Sequence, residues 1–271
     1  PWGYITIDGK MYYVNEGGGW SPMRYVLVEL WDRDIIDYLI ASTWTDSNGF
    51  YSFNDIYNYE GFWPFESRHD PYILVWSEGE WDWKTLVPPL FLGRYAVRWD
   101  LADDIPNGYY PQPSYVPSAY NEAWLAGDAV YGEADWVWDW TGWARSKVTI
   151  AWPWEDWPHS HGNSIDLPTS GWDHVTVYHE EGHCIMWALY GYWPPGPGPT
   201  TEHHYLASES SGGFALCEGW AEFMEAAVEN NPNNCASWGM NIETNTWYNG
   251  PFWTPEGNIG DSGDIDGNII E

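Results

Sequence analysis

Residues 179–183 read His-Glu-Glu-Gly-His, and no other feature restricts the folding of this chain as strongly. Two imidazoles four positions apart share a face on an α-helix, so a metal held by both His179 and His183 requires this stretch to be helical. The surroundings agree. Val175, Val177, Ile185, Met186 and Leu189 supply apolar surface, and Asp173 stands where a helix cap is wanted. Gly191, followed by Pro194 and Pro195, ends the run near Tyr190. Glu180 sits at the edge of the ligand face, within reach of a water on the metal rather than of the metal itself. Zinc lowers the pKa of such a water towards ~7, and a carboxylate so placed takes its proton as a carbonyl is attacked. The plainer alternative is a pair of surface histidines on a charged helix.

Two histidines are too few for a catalytic zinc, which takes three protein ligands and keeps one position open. A second predicted helix, residues 213–230, carries Cys217-Glu218-Gly219-Trp220-Ala221-Glu222-Phe223. This segment resembles the Asn-Glu-Gly-Phe-Ala-type segment of gluzincin metallopeptidases. The resemblance runs from about residue 118 to the C-terminus and is specific mainly at the two motifs. It implies Glu218 as the third zinc ligand, with Gly219 letting the two helices approach. Glu222 lies one turn on. The resemblance implies that it hydrogen-bonds a ligand histidine, and the alternative is an ordinary solvated glutamate. Glu225 and Glu229 continue the acidic stripe and read as surface. Such enzymes also stabilise an oxyanion with a Tyr or His donor, for which Tyr248, His203, His204 and Tyr205 are candidates that spacing does not separate.

The three cysteines, Cys184, Cys217 and Cys235, allow at most one internal disulfide and show no Cys-x-x-Cys spacing. Cys184 and Cys217 flank the ligand positions, either as a disulfide between the two helices or as small buried residues.

The first hundred residues read as β. Gly3–Ile7 and Lys10–Val14 are short β-rich runs around Asp8-Gly9, a hairpin turn signal. Tyr25–Trp31 alternates apolar and polar residues, Leu39–Thr45 and Phe50–Phe53 flank Asp46-Ser-Asn-Gly49, and Tyr72–Trp76 is a further strand. Strands at this spacing predict a small antiparallel sandwich. The stretch from Val26 through Phe53, with its Thr45-to-Phe53 hairpin, resembles the transthyretin-like or Cna-B-like modules of secreted bacterial proteins. In such modules the hairpin is structural, which makes Asp46 and Asn48 turn residues ahead of calcium ligands. Residues 101–117, with Pro106, Pro111, Pro113 and Pro117, read as a loop and a domain junction. Beyond them come a helix over 118–140 capped by Ser118, a strand over 147–152, the two metal-motif helices, and a mostly irregular stretch from 231 to 271.

The expected fold class is therefore α+β: an N-terminal antiparallel β-sandwich over residues 1–100, a Pro-rich linker over 101–117, and a mainly helical zincin-like metallopeptidase domain over 118–271. That last domain reads as cut short at Glu271, and a chain opening at Pro1 reads as mature, processed or partial.

Charge narrows the partners. The net charge is −31 with only nine basic residues, a field that repels phosphate backbones and excludes nucleic acid as an expected partner. It attracts cations, so calcium stands beside zinc as a candidate ion, at Asp-Asn-Gly clusters such as Asp264 to Gly267. The alternative is an acidic surface suited to a saline or extracellular setting. No run approaches the ~20 apolar residues of a membrane-spanning helix. Abundant Trp and Tyr suit core packing, subunit interfaces or sugar contact.

These readings converge on a secreted or cell-surface zinc-dependent peptidase acting on a peptide or protein substrate. The alternative is an extracellular structural, adhesive or self-assembling protein, homo-oligomeric and retaining the zinc site with little or no turnover. A pure carbohydrate-binding module leaves the metal motifs unexplained.

Overall fold

The computed structural model describes residues 3–62, 65–87, 93–193 and 211–229, and the strand pairs 240–241 and 246–247. The architecture is mixed α+β, with three helices among the described residues. The chain divides into two compact units, residues 1–128 and 129–271.

Among the described residues the first unit holds twelve strands: Tyr4–Lys10 (β1), Tyr12–Val14 (β2), Trp20–Pro22 (β3), Val26–Asp32 (β4), Tyr38–Trp44 (β5), Phe50–Tyr57 (β6), Glu60–Phe62 (β7), Phe65–Ser67 (β8), Pro71–Gly79 (β9), Trp83–Leu86 (β10), Ala96–Asp100 (β11) and Gly108–Pro111 (β12). β4 lies between β5 and β9, all antiparallel, and β9 also pairs with β10 and β11. A second sheet places β1 between β6 and β12. Period-2 burial runs through both sheets: Val26, Val28, Leu30, Ile73 and Val75 are buried from one, and Ile5, Ile7, Tyr51 and Phe53 from the other. The Asp46 turn is structural, since its Oδ1 accepts from the amides of Asn48 and Phe50.

Two local expectations fail. Asp8-Gly9 is not a turn but the middle of β1, in register with Ser52 and Tyr51 of β6. Strand pairing overrides the local turn preference there, and Gly9 suits the spot because a Cβ would come within 2.7 Å of the Tyr51 hydroxyl. The proline-rich stretch is not all loop. Gly108–Pro111 pairs in parallel with β1, the exception among otherwise antiparallel ladders between the named strands of this unit.

Helix Asn121–Thr141 (α1) begins three residues after the expected Ser118 cap, and the Asn121 side chain bonds both the amide and the carbonyl of Val14. The second unit continues with Val148–Ala151 (β13), His159–Ser160 (β14), Ser164–Asp166 (β15), helix His174–Tyr190 (α2), helix Gly212–Val228 (α3), and the short pair Met240–Asn241 (β16) and Thr246–Trp247 (β17). β15 runs parallel to β13 and antiparallel to β14. α2 packs on this small sheet and against α3, and Val137 of α1 joins Ile185 and Met224 in one apolar cluster edged by Trp136, Trp143 and Trp220. No helix among the described residues is long and apolar enough to cross a membrane.

Candidate metal centre

α2 is a helix with defined ends. Asp173 accepts from the amide of Thr176, whose hydroxyl returns to the cap in a capping box, and Gly191 closes the other end in the left-handed conformation, φ 73°. α3 starts at Ser211, whose hydroxyl accepts from the amide of Phe214. The two helices meet closely at Gly182. A Cβ there would stand 3.1 Å from the Cα of Ala221 and 3.3 Å from the Cβ of Met224. Trp220 also donates its indole N–H to the Gly182 carbonyl, at 2.9 Å.

This close packing gathers three ligand-type side chains. His179 Nε2 lies 3.3 Å, and His183 Nε2 3.5 Å, from the same Glu218 oxygen, Oε2. The two rings stand nearly perpendicular, with centroids 4.9 Å apart. Ligand atoms about 2.0–2.1 Å from a tetrahedral ion are separated by about 3.3 Å, so these spacings suit an ion of zinc's size. Two imidazole nitrogens and a carboxylate oxygen are also a donor set that zinc accepts.

The other imidazole nitrogens are engaged. His179 Nδ1 lies 2.9 Å from Glu225 Oε1 and 3.8 Å from Glu222 Oε1, so Glu225 is the nearer acceptor. His183 Nδ1 lies 3.3 Å from the Cys217 sulfur, and the indole of Trp193 donates to the His183 carbonyl. Glu225 is buried, contrary to its expected surface position. Glu229 pairs with Nε2 of His174 at 2.9 Å. The signal for Glu225 was in the spacing, since positions 218, 222 and 225 lie four and then three apart on one helix face.

Electrostatics favour a cation here. Burial alone would depress both ligand imidazoles, but carboxylates outweigh it. Glu218 and Glu225 hold His179 well above the usual range, and Glu218 with Cys217 lifts His183 to about 10. Burial, and then Glu225, push Glu222 up to about 8. The carboxylates thus hold protons on the two imidazoles, and a dication bound there would take the place of those protons. Glu180 is buried beside His179 in the chain, at 7% exposure.

Beneath α2 lies a charged layer that sequence reading missed. Arg145 and Glu181 form a buried ion pair. Glu133 of α1 is fully buried and neither carboxyl oxygen has a hydrogen-bond partner. Burial, and then the nearby Glu181, raise its pKa well above the usual carboxylate range. A charged residue facing the core of a helix has no distinctive spacing of its own. Cys184 and Cys217 are buried free thiols. Tyr248, His203, His204, Tyr205, Cys235 and the Asp264 segment lie outside the described residues.

A family model described as the mycolysin C-terminal domain matches residues 134–269, half of the chain. No curated protein matches. Among solved structures, the chain is similar to a 9R-lipoxygenase from Cyanothece PCC8801, at 16% identity and a TM-score of 0.28, covering 42% of this chain and 16% of that one. It is also similar to (S)-allantoin synthase, at 12% identity and a TM-score of 0.24, covering 42% of this chain and 41% of that one. The chain thus spans well under two thirds of either, and at these TM-scores neither bears on its fold or chemistry.

Proposed function

Because the chain belongs to the mycolysin C-terminal domain family, we propose that it is a secreted or cell-surface zinc-dependent peptidase of gluzincin type. His179, His183 and Glu218 hold the metal, and Glu180 acts as the general base. One observation carries the reading: two imidazole nitrogens and one carboxylate oxygen converge at tetrahedral-edge spacing between two capped helices. The family context supports it independently.

Zinc bound by these three side chains would supply Lewis acidity towards a peptide carbonyl and acidity to a nearby water. The remaining work falls to the chain. Glu180 accepts the proton of the attacking water and returns it to the leaving amine. Glu225 accepts the Nδ1–H of His179, which orients the ring and leaves Nε2 as the nitrogen free to bind the metal beside Glu218. The apolar cluster of Val137, Ile185 and Met224 keeps the helices at a fixed separation. In this layout residues 1–100 form the transthyretin-like or Cna-B-like sandwich, residues 118–271 form the peptidase domain, and the substrate is a peptide or protein.

The test is Glu180→Gln. The variant is expected to retain zinc by elemental analysis while losing chelator-sensitive peptide hydrolysis by about 10²-fold or more. Zinc bound at stoichiometry with no hydrolysis in either form, together with ordered assemblies, would favour the structural, self-assembling reading instead. Absence of zinc in the wild type would sink both.

A further inference from the structure

A second convergence of ligand atoms lies on the β14–β15 hairpin, among residues the peptidase reading does not use. His159 pairs in register with Asp166. His161 follows two positions after His159, so the three side chains emerge on one side of the hairpin. His159 Nε2 lies 3.3 Å, and His161 Nε2 3.4 Å, from the same oxygen, Oδ2 of Asp166. The rings stand perpendicular, with centroids 4.4 Å apart. These are again the edge lengths of a small tetrahedral ion's ligand shell, about 3.3 Å.

Two further features preorganise the group. His159 Nδ1 lies 3.1 Å from the Trp157 carbonyl, so Nδ1 carries a proton and Nε2 is the nitrogen left to face Asp166. The turn that carries His161 is closed by reciprocal backbone bonds with Ser164, at 2.8 and 3.1 Å, and by the Ser164 hydroxyl donating to the His161 carbonyl. Gly162 at its tip takes φ 61° against the Trp187 ring of α2. Asp166 is nearly buried while both imidazoles reach solvent, which leaves room for water in the remaining coordination positions.

We propose that His159, His161 and Asp166 form a second metal site, for a divalent transition ion of the zinc class, which clasps the β14–β15 hairpin where it packs on α2. The donor set decides the class. Two imidazoles and one carboxylate suit zinc, cobalt or nickel, whereas calcium and magnesium want oxygen ligands throughout. The bland alternative is a pair of protonated histidines balancing one aspartate, which would need no ion.

Cobalt(II) and zinc uptake by the chelator-stripped full chain tests this, at micromolar free metal, by elemental analysis and competition with a chromophoric chelator. Wild type is expected to take two equivalents. His161→Gln, an exposed substitution, and Asp166→Asn should each take one, with hairpin affinity down by at least about tenfold and peptide hydrolysis retained. Glu218→Gln should lose the other equivalent and keep the hairpin one. If only one equivalent binds, and it is lost in His161→Gln but kept in Glu218→Gln, the hairpin site stands and the peptidase centre fails. Uptake that neither His161→Gln nor Asp166→Asn changes overturns the proposal.

Discussion

Glu225 and His179 are joined across the α2–α3 interface by a hydrogen bond, Oε1 to Nδ1, at 2.9 Å, while Glu222 one turn earlier stands 3.8 Å from the same nitrogen. The carboxylate hydrogen-bonded to His179 is therefore one turn further along α3 than the resemblance implied, and under the proposed function it is the group that orients this imidazole. Glu225→Gln is expected to weaken zinc binding about 10–100-fold, the usual effect of losing a carboxylate behind a ligand histidine. Glu222→Gln should cost distinctly less. Chelator competition on the two variants measures the difference, and a larger loss at Glu222 would reverse the assignment.

Gly182 sets how closely α2 and α3 approach. In a free helix, alanine would recover roughly 1 kcal/mol of glycine's helix penalty and valine only part of it. Here its Cβ meets the backbone of Ala221 at 3.1 Å, and backbone cannot rotate away. Gly182→Val is expected to lower stability by about 1–3 kcal/mol and to weaken zinc binding at the same time. Thermal unfolding with and without zinc reads both effects, and an unchanged or raised Tm would show that the helices have slack.

Arg145 and Glu181 are both almost wholly buried, at 2% and 0% side-chain exposure. Removing one partner strands the other's charge in the core. Arg145→Met should cost about 3–5 kcal/mol, and Arg145→Met with Glu181→Gln should recover much of that loss. Urea denaturation of the single and double variants checks the coupling. Additive losses would mean that the pair does not act as a unit.

Glu133 predicts a pH dependence. Its pKa in the fold is raised above the ordinary 4.5, chiefly by burial and then by Glu181. Below that ordinary value both folded and unfolded chains hold the proton, and its stabilising contribution is complete. Above it the unfolded chain ionises first, so stability drains away as pH rises through the folded value. Glu133→Gln keeps the shape without the titration. The Tm advantage of the variant should therefore grow with pH from about 4.5 upward. A difference that stays constant between acidic and neutral pH would contradict this.

Particular residues show how far the sequence could be read. The α2 boundaries followed from Asp173 and Gly191, because capping is local chemistry. His179 and His183 were legible as a pair because helix periodicity converts spacing into a shared face, whereas Glu218, on another helix, came only from the resemblance of its segment. Asp8-Gly9 was misread because a local turn preference yields to a full strand pairing with β6. Glu225 was taken for surface because an acidic stripe has the same pattern whether it meets water or an imidazole. His159-Ser-His161 passed without notice, since nothing nearby in sequence announces that Asp166 lies opposite.

The sequence by itself determined the ends of α2, the Asp46 hairpin and which side chains of one helix share a face, since these follow from repeat geometry and caps within a few residues. Only the tertiary structure decided which faces meet: Gly182 against Ala221, Glu225 on His179 and Glu133 buried near Glu181. Those contacts join residues about 40 or more positions apart, and packing, rather than any local preference, brings such partners together.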